Sequence, residues 1–464
     1  MSDFTLFREK MEQADVCEAA IKSFERNYHS LVNQETGLIS EDSISPVKEL
    51  PTLASISGST SEFNSELLSQ TVVIKLNGGL GTSMGLQKAK SLLPVKAEAT
   101  FLDIIVNQIS HLREQTGADI KFLLMNSFST SEGTLEHMEQ YDALNLAKAE
   151  DVEMLQNQIP KIDKKHLTPA EHTDNPSLEW CPPGHGDLYA AIEGTGWLDK
   201  LLEQGIKYAF VSNADNLGAV LEPNILSHFA ESGDPFLMEV TRRTEADKKG
   251  GHLAIRKSDD QLLLREVAQC PEDDIQHFQN VETHQFFNTN SLWIRLDSLK
   301  EALGQHNGII PLPMITSSKT VDPRDKTSTP VYQLEGAMGA AIECFPSSSA
   351  ICVPRSRFAP VKTTSDLFSL RSDAYETTVD GRIALIGERN GKPPIVVLSE
   401  EYKLVDSLEG LGSPSLKEAE KVTISGPVRF TENVKIKGTV SFTNEDQTTK
   451  WVASGTYQDE EIVL

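Results

Sequence analysis

Three sets of residues have the types and spacing that phosphate chemistry needs. The first is Lys75-Leu76-Asn77-Gly78-Gly79-Leu80-Gly81-Thr82-Ser83-Met84-Gly85, led in by Thr71-Val72-Val73-Ile74 and closed by Lys88 and Lys90. A buried strand ending in a glycine loop lets backbone N–H groups approach a phosphate or nucleobase closely. This loop fits neither common nucleotide signature. Gly-x-Gly-x-x-Gly needs a glycine at Met84, and the P-loop needs Gly-Lys-Ser/Thr where Ala89-Lys90-Ser91 stands. The second set is Ser212-Asn213-Ala214-Asp215-Asn216, where one carboxylate among amides suits a single ligand to a Mg²⁺ that also touches phosphate. An Asx turn capping the preceding strand explains the same residues. The third set, Arg355 to Lys362, gathers three cations within eight positions of an acidic chain. Lys362 follows a short apolar approach, as a lysine aimed into a pocket does.

Two further groups could contact a sugar. Cys181-Pro182-Pro183-Gly184-His185-Gly186-Asp187 reads as a rigid turn that presents an exposed histidine between glycines. His185 can donate there to a phosphate or sugar oxygen, although a histidine merely displayed by a turn fits as well. Phe286–Trp293, with Asn290, and Lys249-Gly250-Gly251-His252 supply amides and glycines of the kind that bond sugar hydroxyls. The chain has no Gly-x-Ser-x-Gly elbow and no His-Glu-x-x-His helix, and nothing in it resembles a covalent nucleophile. Lysines, amides and one carboxylate around a glycine loop favour direct phosphoryl or nucleotidyl transfer, in which the protein aligns and neutralises.

These residues need a scaffold that brings strand ends together. Val72–Leu76, Ile120–Met125 and Tyr208–Ser212 read as strands ending in polar residues, and Phe101–Thr116 as a helix with Leu102, Ile105, Ile109 and Leu112 on one face. The alternation predicts an open, mostly parallel α/β sheet with its ligand at the carboxyl edge. Residues 3–33 read as one amphipathic helix, and 40–65 as a loop with a short helical piece. Past residue 380 come short alternating strands, Val422–Phe430 and Val434–Phe442, with glycines at matching positions 426 and 438. Stacked turns of a small β-helix and a plain hairpin fit this pattern equally. At 464 residues, 39% apolar and 24% charged, the composition is that of a globular protein with two or three domains. A net charge of −25 argues against nucleic acid or a membrane surface as partner. No run approaches the roughly eighteen apolar residues of a membrane span. The N-terminus lacks an apolar signal core, and five cysteines without a Cys-x-x-Cys pair read as reduced thiols of a cytoplasmic protein.

Taken in order, the segments from Lys75–Gly85 with Lys90 through Pro182–Asp187, Phe210–Gly218, Met238-Glu239-Val240-Thr241, Lys249-Gly250-Gly251, Phe287–Trp293 and Arg355–Leu367 resemble the eukaryotic-type UTP–glucose-1-phosphate uridylyltransferases. The resemblance implies a doubly wound, Rossmann-like central domain of the nucleotide-diphospho-sugar transferase type. It adds a helical N-terminal extension over 1–65, a central domain over 66–375, and a 376–464 domain ending in a short left-handed β-helix. It implies a reaction of UTP with glucose 1-phosphate to give UDP-glucose and pyrophosphate with Mg²⁺, and leaves a homo-oligomer open. By that resemblance Leu76, Asn77, Gly78 and Gly79 hold the uridine end, and Gln156 and Gly184 read the uracil. Lys90 contacts the triphosphate and its metal, and Asp215 ligates Mg²⁺. His185, Asn213, Ala214, Asn290 and Gly251 serve the sugar-phosphate part, and Lys362 is the catalytic lysine. Lys88-Ala89-Lys90 stands where the family usually has Gly-Pro-Lys, and Met154-Leu155-Gln156-Asn157 where an aromatic commonly comes first. A pyrophosphorylase for UDP-N-acetylhexosamine or several UDP-sugars is the nearest rival, disfavoured by Ser83, where those relatives generally carry arginine. A non-catalytic nucleotide-sugar sensor is the other, disfavoured by Lys90, Asp215 and Lys362 occurring together.

Overall fold

The computed structural model describes residues 4–57, 64–146 and 148–464. The side chain of Ser83, on which the choice between sugars leans, lies outside the described residues. A ten-stranded sheet forms the centre. Its strands in chain order are β1 (Ile44–Pro46), β2 (Thr71–Asn77), β3 (Lys121–Asn126), β4 (Glu153–Leu155) and β5 (Tyr208–Asn213), followed by β6 (Phe236–Arg242), β7 (His252–Arg256), β8 (Leu262–Arg265), β9 (Phe286–Arg295) and β10 (Ser349–Cys352). The main path runs β1-β7-β9-β5-β2-β3-β4, with β8 on β7 and β6 between β9 and β10.

The half that carries the glycine loop is parallel. β2 lies between β5 and β3, and β4 extends the row, all pointing the same way. β9 then runs antiparallel to both β5 and β6. The sheet is therefore mixed, not mostly parallel as the sequence suggests. Strand direction is set by the connections, and apolar runs carry no record of it. β2 shows why its residues form a central strand. Val73 packs on one face with Phe101 and Ile105, while Val72 and Ile74 pack on the other with Leu188 and Leu198. A strand buried on both faces reads as a continuous apolar run. The Phe101–Thr116 helix begins with a reciprocal Thr100/Asp103 cap and buries Leu102, Ile105 and Ile109.

At the N-terminus the single expected helix is two, Thr5–Gln13 and Glu18–Val32. The chain turns at Asp15, whose φ of 54° no α-helix accommodates. The break folds the two helices against each other, so that Phe4, Phe7, Met11, Ile21, Phe24 and Tyr28 close one buried cluster. The 40–65 stretch, expected as a loop with a short helical piece, has that piece at Leu53–Ile56 and in addition contributes β1 as an edge strand beside β7. Residues 58–63 of it lie outside the described set.

The C-terminal strands pair in parallel: Ile395–Leu398 with Ser415–Ser425, that strand with Val434–Thr443, and Val428–Phe430 with Lys450–Val452. Parallel pairing excludes the hairpin. Val422 lies opposite Val440, so Gly426 and Gly438 are not equivalent positions as their spacing suggests; Gly438 pairs with Ala419. This segment shares its core with the central sheet, since Leu411, Val422 and Phe442 belong to the same buried cluster as Leu93, Phe101 and Leu367. The Thr364–Arg371 helix bridges the two. Arg371 Nη2 donates to the Pro94 carbonyl at 2.7 Å, Lys96 Nζ to the Ser372 carbonyl at 2.6 Å, and the Leu398 amide to Ser365 Oγ at 3.2 Å. No helix among the described residues is long and apolar enough to cross a membrane, and all five cysteines are free.

Candidate functional site

A cleft of about 300 Å³ opens at the carboxyl ends of β2, β3 and β5. It is lined by Leu76, Asn77, Gly78, Gly79, Lys90, Gln156, Gly184, His185, Asn213, Ala214, Asp215 and Lys362, residues proposed from sequence, and by Ser91, Met125 and Pro182. Asn290 and Gly251 lie apart from this lining. Asn290 sits at φ 56°, and its amide is held by Asn288 Oδ1 at 2.9 Å. Gly251 packs against the Glu266 carboxylate.

The glycine loop is fixed from beneath. Asn77 is buried, and its Nδ2 donates to Asn126 Oδ1 at 2.7 Å and Thr134 Oγ1 at 3.0 Å. Its Nδ2 thereby ties β2 to β3 and to the helix that carries Thr134. Ser127 Oγ donates to the Gly78 carbonyl at 2.9 Å, and the Lys90 amide to the Gly79 carbonyl at 3.1 Å. Gln156 lies over Gly78 and donates through Nε2 to the Gly184 carbonyl at 3.0 Å, joining the loop to the Pro182–Asp187 turn. Gly184 has φ 81°, and a methyl group there would stand 2.7 Å from the Gly336 carbonyl oxygen, so the turn requires glycine.

Asp187 and Asn157 brace Gln156 from behind. The Asn157 amide donates to Asp187 Oδ2 at 2.7 Å, and its Nδ2 reaches both carboxylate oxygens at 3.1 Å. Burial outweighs these bonds and pushes the Asp187 carboxyl up to about 7. Sequence reading missed this pair, because its partners lie thirty residues apart.

His185 is half-buried, not exposed. Its Nδ1 accepts from the Met338 amide at 2.9 Å, so the ring proton sits on Nε2, which is left as a donor. Burial, with the Lys362 charge, pushes His185 down to about 4, and the ring is neutral near pH 7.

The charged side of the cleft centres on Asp215. Lys90 Nζ and Lys362 Nζ reach the same oxygen, Asp215 Oδ2, at 2.8 and 3.0 Å. Lys90 also donates to the Val361 carbonyl. Asp215 Oδ1 is buried and has no hydrogen-bond partner. The Asx turn that competes for this segment is made by the next residue, with Asn216 Oδ1 accepting from the Gly218 amide at 3.3 Å. The Asp215 carboxylate is thereby left to the cleft. Of the three cations in 355–362 only Lys362 faces the cleft. Arg355 pairs with Asp247 at 2.8 Å, and Arg357 is buried against Glu239. Lys75, inside the first motif, points away from the loop. It donates to Ser212 Oγ at 2.8 Å and the Ala219 carbonyl at 2.6 Å, and burial with the Arg357 charge pushes it down to about 7. Among the described residues no group of three or more His, Cys, Asp or Glu side chains could hold a metal.

A backbone-lined loop joined to a lysine–aspartate cluster at the ends of parallel strands is suited to phosphoryl or nucleotidyl transfer. The family model of UTP–glucose-1-phosphate uridylyltransferase matches residues 21–437. The curated UTP–glucose-1-phosphate uridylyltransferase of Saccharomyces cerevisiae is 40% identical over 376 residues, covering 80% of this chain and 74% of its own. Among solved structures, a mutant of UDP-glucose pyrophosphorylase from Leishmania major in complex with UDP-glucose is similar at a TM-score of 0.93 and 44% identity, over 100% of both chains. A UDP-glucose phosphorylase from Trypanosoma brucei is similar at 0.90 and 47%, over 99% of both. The chain belongs to the UTP–glucose-1-phosphate uridylyltransferase family.

Proposed function

We propose that the cleft joins UTP and glucose 1-phosphate into UDP-glucose and pyrophosphate by in-line nucleotidyl transfer. The observation that carries this reading is the convergence of Lys90 and Lys362 on Asp215 Oδ2 beside the glycine loop. A glucose 1-phosphate oxygen attacks the α-phosphorus of UTP, the new P–O bond forms, and the bond to the bridging oxygen breaks as pyrophosphate leaves. Charge gathers on the α-phosphate and the leaving oxygen, where two ammonium groups stabilise it. A phosphate monoester is already ionised near pH 7 (second pKa about 6), so the attacking oxygen needs no general base. His185, neutral with its proton on Nε2, serves as a hydrogen-bond donor to the sugar phosphate. Gly78, Gly79, Gln156 and the Gly184 main chain form the uridine side.

Mg²⁺ is the metal these residues fit. Asp215 Oδ1 is a buried acceptor without a partner, and one carboxylate suffices for an ion whose other ligands are phosphate and water oxygens. When bound, Mg²⁺ supplies charge neutralisation on the phosphates. Asn290 and Gly251 keep the sugar-side role that the resemblance implies, from the neighbouring β7–β9 corner. The parallel stacking of Ser415–Ser425 on Val434–Thr443 supports a short β-helix at the end of the chain, and the parallel strands β2 to β5 support a Rossmann-like centre. The parallel C-terminal stack supports a division near 375 between the 66–375 and 376–464 regions, whereas the 1–65 extension lends the strand Ile44–Pro46 to the central sheet; the free cysteines fit a cytoplasmic location.

Lys362→Ala tests the reading. Turnover, followed by pyrophosphate release, is expected to fall about 10³-fold while UDP-glucose binding changes by less than about threefold. A variant with wild-type turnover removes Lys362 from the mechanism.

A further inference from the structure

We infer that Glu239 is a positioning residue for the transfer step, acting through Arg357 to hold Lys362 and Asp215 in register; this rests on Lys362 acting in that step. Glu239 is wholly buried in β6. Arg357 Nε donates to Glu239 Oε2 at 2.7 Å and Arg357 Nη2 to Oε1 at 2.7 Å, a two-point fork that fixes orientation as well as distance. Trp293 Nε1 donates to Oε1 at 2.9 Å, so both carboxylate oxygens are occupied. Burial works against the guanidinium charge, and the Glu239 carboxylate more than offsets it, holding Arg357 above its ordinary pKa.

Arg357 carries that fixed point to the two loops that make the charged side of the cleft. Its Nη2 donates to the Val220 carbonyl at 2.9 Å, and its own carbonyl accepts from Asn216 Nδ2 at 3.1 Å. Asn216 Oδ1 accepts from the Ala359 amide at 3.1 Å, and the Val361 amide donates to the Asp215 carbonyl at 3.1 Å. Gly218 passes so close to the Ser356 carbonyl that an added methyl group would lie 2.3 Å from it. The 213–220 and 355–361 segments are thus laced together, with Arg357 as the rivet and β6 as the plate. Neither Glu239 nor Arg357 lines the cleft. Their effect reaches the substrate through the placement of Lys362 against Asp215, and placement errors of about 1 Å cost roughly 10²-fold in rate.

The test measures the single-turnover rate and the UDP-glucose Kd for Glu239→Gln, which keeps the shape and removes the charge. The rate is expected to fall about 100-fold with Kd changed by less than about threefold, a split that a merely stabilising residue does not produce. Arg357→Lys keeps the charge and loses the fork, with an expected fall of about tenfold. Should Glu239→Gln fail to fold, Arg357→Lys decides by the same split. Wild-type rates per UDP-glucose-binding site overturn the inference, as does a Kd that weakens in step with the rate. Lys362→Ala, run alongside, separates the two readings. If it retains the wild-type rate, the role of Lys362 fails; if it loses the rate while both pair variants keep theirs, only the role of Glu239 fails.

Discussion

On one side of the cleft Gly78, Gly79 and Gly184 present main chain, and a single amide side chain, Gln156, spans the gap between them. On the other, two ammonium groups share one carboxylate oxygen, and each is tethered by the segment that carries it. On the proposed reading, the first side excludes and orients by shape, and the second handles charge that appears only as the bond is made. Specificity and chemistry therefore depend on different physical terms, and substitutions on the two sides should register in different kinetic constants.

The largest expected effect lies on the charged side. Asp215→Asn removes the anchor shared by Lys90 and Lys362, and pyrophosphate release should fall about 10³-fold with a weakened response to Mg²⁺. A variant within tenfold of wild type would erase the distinction between the two sides. Gly184→Ala probes the shape-built side. Its backbone, at φ 81° and ψ 175°, lies where side chains cost about 1–3 kcal/mol, and an added methyl group would stand 2.7 Å from the Gly336 carbonyl oxygen, so the turn must shift. KM for UTP should rise about tenfold or more while kcat at saturation moves little. A fall confined to kcat would reverse the assignment.

Asp187 sharpens the comparison through pH. Its carboxyl, pushed up to about 7, binds protons in the folded state that the unfolded chain, with a pKa near 3.9, has already released. Between those values the folded state holds more protons, so this group's contribution to stability declines as pH rises through the window and is constant above it. Relative to wild type, Asp187→Asn should gain about 2 °C in Tm between pH 5 and pH 8. A Tm difference that stays constant between pH 5 and pH 8 would show the Asn157 bonds outweighing burial, since a lowered carboxyl titrates only below the unfolded value. Lys88→Ala should have the smallest effect. Lys88 is exposed, and its loss should change turnover by less than about threefold, most visibly at low salt.

What the sequence reveals follows the same division. β2, β3 and β5 are legible because each is an apolar run closed by glycine or amide residues, and the cleft residues at their ends come with them. The Asp215 carboxylate is legible as an isolated acid at a strand end, although only the structure shows that Asn216 makes the Asx turn and that lysines from two distant segments meet the acid. The antiparallel entry of β9 is not legible, since pairing direction leaves no mark on composition. Nor is the turn at Asp15, where apolar spacing continues across a break that only a dihedral angle reveals. The Glu239–Arg357 pair joins residues 118 positions apart, and reads locally as one acid in a strand and one cation in a basic cluster.

The helix that follows Lys362 has a consequence for how this protein can be cut. Thr364–Arg371 is gripped on one side by the chain at Pro94–Lys96, just downstream of the glycine loop, and on the other by the first strand of the C-terminal stack. Leu367 lies inside a core that both regions fill. A chain ending near residue 375 would leave that core half-built and Lys362 mounted on a helix without its outer support. The last ninety residues are thus less an accessory that could be traded between relatives than the back wall against which the working lysine is braced.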